Sequence, residues 1–198
     1  SQDIDAHWHD ARSSLCSIDA PGVSERASFL SANCAYDADA HLQAELAAID
    51  GVVLTQGFIA RNSRSETVLL GRGGSDTSGA YFAGRLAAER LEIWTDVPGM
   101  FSADPRAVSG SRLLKALRYE EAQEIASTGG AVLHPRAISP VRRAGIPLWI
   151  KSTARPDAPG TVIAKDAGDD APRVKAVSRR AGITLVSMET LGMWQEVG

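Results

Sequence analysis

A layered α/β fold with a mostly parallel sheet is predicted by three features of the 198-residue sequence. Continuous apolar, β-branched runs of strand length recur along it. Helical periodicities lie between them, and glycine-rich turns stand where strand passes into helix. Residues 1–40 carry only scattered Asp, Ser and Ala and a turn at Pro21-Gly22. Leu42, Leu46 and Ile49 then recur at helical spacing, with Gly51 placed as a C-cap, so a helix is expected to end there. GVVLTQGF follows without polar alternation, as suits a strand covered on both faces.

The same grammar then repeats. TVLL (67–70) leads through a glycine turn into SDTSGAYFAGRLAAER, and LEIWTDV (91–97) is strand-like again, which predicts a β-α-β unit. YEEAQEIAS puts Ala122, Ile125 and Ala126 on one helical face. The stretch from His134 to Ala144 reads as a helix with Pro135 at its first position and Gly145 past its end, and Pro140 is expected to kink or break it. IPLWIKS is a further buried strand. The charged AKDAGDDAPR then marks a linker, and VKAVSR and ITLVSME read as two short strands of a second module. The expected organisation is one domain over 1–166, a linker over 167–173 and the beginning of another module over 174–198.

Composition excludes several classes of function. The 21 basic and 24 acidic residues leave a formal charge of −3, and no window forms the basic stripe that nucleic-acid binding needs. No apolar run reaches membrane-spanning length, so a soluble cytoplasmic protein with no membrane partner is expected. Cys16 and Cys34 fit neither a redox pair nor a zinc knuckle and are expected as reduced thiols. His7, His9 and Asp10 have metal-ligating chemistry but stand in an unpatterned stretch, and the expectation there is no metal site.

Three segments carry chemistry. Arg72-Gly73-Gly74-Ser75 joins a strand to a helix, where unpaired backbone N–H groups and the helix dipole favour an anion. It is neither a Walker A loop nor GxGxxG. Arg72 offers a planar fork for a carboxylate or phosphate, and Asp76 stands in the first helical turn, as a cap or as a reacting-centre carboxylate. Thr95-Asp96 ends a buried strand at its carboxyl end, the side on which ligands bind in open α/β sheets, and Phe101 and Arg106 follow in a turn around Asp104-Pro105. Gly129-Gly130-Ala131-Val132 is another turn entering a helix. His134 after it reads as a capping or packing histidine more readily than as a base.

Taken in order, GRGGSDTS, EIWTDVPGMFSADPR, ASTGGAVLHPRAI and IPLWIKST closely resemble the aspartokinases, members of the amino-acid kinase family, over about Gly51 to Ile163. The resemblance implies a three-layer α/β/α, carbamate kinase-like fold. It implies transfer of the γ-phosphoryl of ATP to the side-chain carboxylate of L-aspartate with Mg²⁺, the first step toward lysine, threonine and methionine. By the same resemblance Arg72, Gly73, Gly74 and Ser75 hold aspartate and Asp76 organises the transfer. Thr95, Asp96, Phe101, Arg106, Ala131 and Val132 line the nucleotide site.

Two positions depart from the family pattern. A tyrosine is usual where Phe101 stands, and a lysine is usual where Ala131 stands, which leaves Ala131 a backbone role only. The tail from Val174 resembles the opening of the paired ACT modules that sense lysine or threonine, which implies an allosteric homo-oligomer. The family's opening Lys-Phe-Gly-Gly segment and later Gly-Glu segment do not occur here. The chain is therefore expected to be incomplete at its N-terminus and to show no turnover alone. SGAYFAGRL and GMWQEVG also resemble enzymes in which a diaminopimelate decarboxylase is fused behind the kinase. The alternatives are a sister kinase acting on acetylglutamate or glutamate, and a non-catalytic regulatory or interaction piece.

Overall fold

The computed structural model describes residues 4–19, 21–128, 132–168 and 174–179, with positions 182, 184, 186 and 187. The mixed α/β prediction holds, and it extends into the N-terminal forty residues. There β1 (Ala6–His9) pairs in parallel with β2 (Val52–Thr55). Two short helices follow β1, α1 (Ala11–Ser14) and α2 (Glu25–Leu30), capped by the side chains of Asp10 and Ser24. The candidate ligands His7, His9 and Asp10 have ordinary structural partners. Asp10 accepts from the α1 backbone and pairs with Arg12, His9 Nε2 lies 2.6 Å from Ser14 Oγ, and His7 faces Asp5.

Two expectations around Gly51 are corrected. Helix α3 is Ala40–Ala47, so it ends before Gly51, whose φ of +99° instead turns the chain into β2. The run GVVLTQGF is not a strand covered on both faces. Only Val52–Thr55 is extended, and Val52 and Leu54, which share one face of the two-stranded β1–β2 sheet, are exposed because no described residue covers that face.

The hairpin of β3 (Ile59–Arg61) and β4 (Thr67–Leu69) is antiparallel and leads into helix α4 (Gly74–Arg85), then β5 (Leu91–Thr95). The predicted β-α-β unit is real as a succession of elements but not as one sheet. β4 is bonded to β3, whereas β5 belongs to a four-stranded sheet of order β5-β7-β8-β6. That sheet comprises β6 (Ala116–Leu117), β7 (Leu148–Ser152) and β8 (Thr161–Ile163) with β5; it is parallel except where β7 meets β8.

Helix α4 is buried on two sides, because it stands between two cores. Ala80 and Ala83 join Leu117, Leu148, Ile150 and Ile163 of the sheet, together with α5 (Tyr119–Thr128) and α6 (Ile138–Ala144). On its other side Tyr81 meets Leu15, Cys34, Ala60, Val68 and Leu70 and stacks on Tyr36. A side chain at Gly84 would meet the Tyr36 carbonyl at 2.5 Å, so the second core sets glycine there. Both cysteines are free, and burial pushes the Cys34 thiol up to about 12.

Pro140 neither kinks nor breaks α6. The change of pitch comes earlier, where a 3-10 turn (Pro135–Ala137) passes into the helix, and Pro140 occupies the first helical turn, whose N–H groups have no intrahelical acceptor. Gly145 closes α6 in the left-handed conformation, as expected. Residues 174–179 form no strand, contrary to the reading of VKAVSR, and most of ITLVSME and all beyond it lie outside the described residues. No helix among the described residues is long and apolar enough to cross a membrane.

Candidate active site

The glycine turn between β4 and α4 is built by close approach. Gly73 is the N-cap of α4 with φ +68°, and a Cβ there would lie 2.2 Å from the His134 side chain. Gly74 has the Phe58 ring over it, where a Cβ would come within 2.3 Å. Gly57 backs onto Ser75 and Ser78, and the Phe58 N–H donates to Ser78 Oγ at 3.3 Å. No side chain caps α4, so the amides of its first turn are left for a ligand. Arg72 is exposed beside them and makes no hydrogen bond or ion pair among the described residues.

Asp76 is the charged group of that first turn. Its carboxylate accepts the His134 N–H at 3.4 Å. Burial raises its pKa above the ordinary carboxylate value, while the His134 amide and imidazole work the other way. His134 is a capping and packing residue, as read from sequence. Its Nδ1 accepts the Arg136 N–H and its ring lies on Gly73. Burial, helped by Arg136 and Arg72, lowers its pKa, so the imidazole is neutral near neutral pH.

Because the folded-state pKa of Asp76 is raised, its contribution to stability is greatest below the ordinary value of 3.8 and is lost as pH rises through the folded pKa. Asp76→Asn is therefore expected to melt higher than the wild type at neutral pH, with the gap closing as pH falls below the ordinary carboxylate range. Thermal melts across pH check this; an Asn variant less stable at neutral pH would count against a desolvated carboxylate.

Thr95 and Asp96 stand at the carboxyl end of β5, beside the end of the parallel strand β7, where Thr95 pairs with Ser152. Thr95 Oγ1 donates to Asp96 Oδ1 at 3.1 Å, and the Thr95 carbonyl accepts from Thr153 N–H and Oγ1. Phe101 forms an isolated bridge with Leu113, and its neighbour Met100 is anchored by Thr161 Oγ1 at 2.9 Å. Arg106 is exposed, with its backbone held by Asp104. Val132 is half-buried just before His134; Ala131 lies outside the described residues.

The structure thus joins the glycine turn, Asp76 and the His134 turn into one cluster, and places Thr95, Asp96, Phe101 and Arg106 at a strand end and its following loop. Sequence reading missed Phe58 and Arg136. Phe58 has φ +74°, rare for an aromatic residue, and it lies within a run read as strand. Arg136 forks onto Ala32 O at 2.6 Å, Asn33 Oδ1 at 2.8 Å and the Leu70 carbonyl, contacts across more than sixty residues that no local pattern announces.

An α/β sheet with polar groups at its parallel strand ends and a glycine turn entering a helix is a frame suited to an anionic ligand. Residues 13–152 match the amino acid kinase family, and the chain belongs to that family. The match begins well before Gly51, in the stretch where sequence patterns were weak. Within the family the chain is similar to aspartokinases. It is 35% identical to lysine-sensitive aspartokinase 3 of Escherichia coli across all of this chain and 42% of that protein. It is 43% identical, over 75% of its length, to 18% of the bifunctional aspartokinase/homoserine dehydrogenase of Haemophilus influenzae. The solved E. coli aspartokinase III in complex with aspartate and ADP superposes with a TM-score of 0.72 and 36% identity, covering 87% of this chain and 37% of that one. The chain therefore spans less than half of these relatives. The fused relative named here carries a homoserine dehydrogenase.

Proposed function

We propose that the protein is an aspartate kinase, transferring the γ-phosphoryl of ATP to the side-chain carboxylate of L-aspartate. The observation that carries this reading is the uncapped N-terminus of α4 with the unpaired Arg72 beside it and the half-buried Asp76 inside it. Such a site suits an acidic substrate: the amides and the guanidinium neutralise its charge, and Ser75 adds a hydroxyl. Gly73 and Gly74 let the substrate approach the backbone. A carboxylate oxygen of aspartate attacks the γ-phosphorus, the bond to the β,γ-bridging oxygen breaks, and ADP and 4-phospho-L-aspartate result.

The nucleotide lies, in this reading, against Thr95, Asp96, Phe101 and Arg106, with Val132 as a further contact; the contact expected at Ala131 falls outside the described residues. Arg106 and the local amides carry the phosphate charge, since no lysine stands at 131. No group of three or more His, Cys, Asp or Glu among the described residues could hold a metal ion, so Mg²⁺ fits as an ion carried largely by the phosphates. Bound there, it would neutralise charge developing on the transferred group.

We assign residues 1–166 to the kinase domain, 167–173 to a linker and 174–198 to the beginning of an ACT module. Lysine or threonine sensing, homo-oligomer formation through that module and a cytoplasmic location complete the proposal, and the lysine sensitivity of the E. coli relative supports the first.

Calorimetric titration with Mg·ATP and with aspartate tests both halves. Arg72→Ala is expected to weaken aspartate binding by about 1.5–3 kcal/mol, the scale of a charge-assisted hydrogen bond, without affecting ATP. Asp96→Ala is expected to weaken ATP alone. Unchanged aspartate affinity in the Arg72 variant, or an equal response to glutamate or N-acetylglutamate, would overturn the substrate assignment.

A further inference from the structure

Residues 174–179 leave the linker and lie along the kinase body without regular structure, held at three points. The Lys175 ammonium pairs with the Glu121 carboxylate in α5, and both side chains are largely buried. The Val177 N–H donates to the Ser102 carbonyl at 2.8 Å, although the Val177 side chain is itself exposed. Ser178 Oγ lies 2.7 Å from Thr128 Oγ1. The Thr128 hydroxyl already donates to the Glu124 carbonyl at 2.8 Å, so Ser178 is the donor in that pair.

The positions of the three anchors matter more than their number. Ser102 directly follows Phe101 and lies in the loop that carries Arg106. Thr128 is the last residue of α5. Glu121 fixes the other end of the same helix, where it also accepts the Arg118 N–H at 2.9 Å. One segment therefore ties helix α5 to the loop after Phe101, on which the nucleotide is placed above. Among the described residues, the other bonds that restrain the Phe101–Arg106 loop from outside itself are chiefly those of Arg112 with Ser102 and the Phe101–Leu113 bridge.

We propose that Lys175, Val177 and Ser178 form a positioning strap that sets the separation of the Phe101–Arg106 loop and the C-terminal end of α5, and thereby the affinity for nucleotide. The proposal rests on the nucleotide-site reading above. It couples the loop after Phe101 to any displacement of residues 174–179, because backbone anchored at several points transmits displacement to its anchors.

The test compares Lys175→Ala, Lys175→Arg and Val177→Pro with the wild-type protein. The proline variant deletes the N–H donated to Ser102 and also fixes φ at 177, which is why the Lys175 variants are measured beside it. Calorimetry with Mg·ADP and amide hydrogen exchange over 101–106 and 124–128 are the readouts. Lys175→Ala and Val177→Pro are expected to weaken Mg·ADP binding on the order of five-fold, the lower range of inter-site coupling. They are also expected to speed exchange in both segments, with Lys175→Arg close to wild type. Unchanged exchange at 101–106 in both folded variants would overturn the strap. Faster exchange in a protein whose wild type binds no nucleotide would overturn the nucleotide-site reading while supporting the mechanical coupling.

Discussion

Replacing Arg136 by methionine is expected to destabilise the protein by about 3 kcal/mol, the scale seen when the charged partner of a partly buried polar cluster is removed. The guanidinium holds the Leu70 and Ala32 carbonyls, Asn33 Oδ1 at 2.8 Å and Ser31 Oγ at 3.4 Å. Leu70 is fully buried and directly precedes the glycine turn, and Ala32 is almost as deep. Methionine matches the stem but leaves the buried Leu70 and Ala32 carbonyls without this donor, whereas the exposed Ser31 and Asn33 can turn to water. The damage should extend to aspartate binding, because Arg136 fixes Leu70 and so the start of the Gly71–Ser75 turn. Lysine should rescue little, since a point ammonium cannot bridge acceptors arranged for a planar fork. Urea denaturation of the wild type, Met and Lys variants measures this. A lysine variant as stable as the wild type would show that charge alone, not the fork, holds the two regions together.

Gly73→Ala is the second large effect, and two separable penalties contribute to it. The φ of +68° costs a side chain about 1 kcal/mol, the usual preference of glycine over alanine in the left-handed region. The new Cβ would also lie 2.2 Å from His134 Cβ and Cγ, so the histidine must move. Overpacking of that kind costs about 1–3 kcal/mol more. Gly145→Ala isolates the first penalty, because Gly145 has φ +69° and open space around it. The difference between the two variants in thermal or chemical melts therefore reports the His134 contact. Displacing His134 also removes the amide from Asp76 and the cap from the 3-10 turn, so loss of aspartate binding should exceed the loss of stability. Equal destabilisation at both glycines would mean that His134 yields freely and that the turn is less closely built than its geometry implies.

Local chemistry made much of this protein legible in its sequence. Gly145 after a helical run, Pro135 at its entry, the apolar strand Leu148–Ser152 and the glycines before α4 each act through their own backbone or nearest neighbours, so pattern alone located them. The candidate residues of the glycine turn and of the β5 end were picked out for the same reason, and the family motifs are strings of such local devices. Contacts between distant segments were decided elsewhere. Whether Val52–Thr55 is buried depends on what packs against its faces, and whether β4 and β5 share a sheet depends on which partner each bonds.

The Arg136 fork, the Phe58 ring over Gly74 and the 174–179 segment on α5 join residues far apart in the chain, and no periodicity records them. By itself the sequence determined the succession of strands, turns and helices and the chemistry available at each turn. Only the tertiary structure decided which turns meet, because that choice is made by burial and hydrogen-bond satisfaction across the whole fold rather than by any one segment.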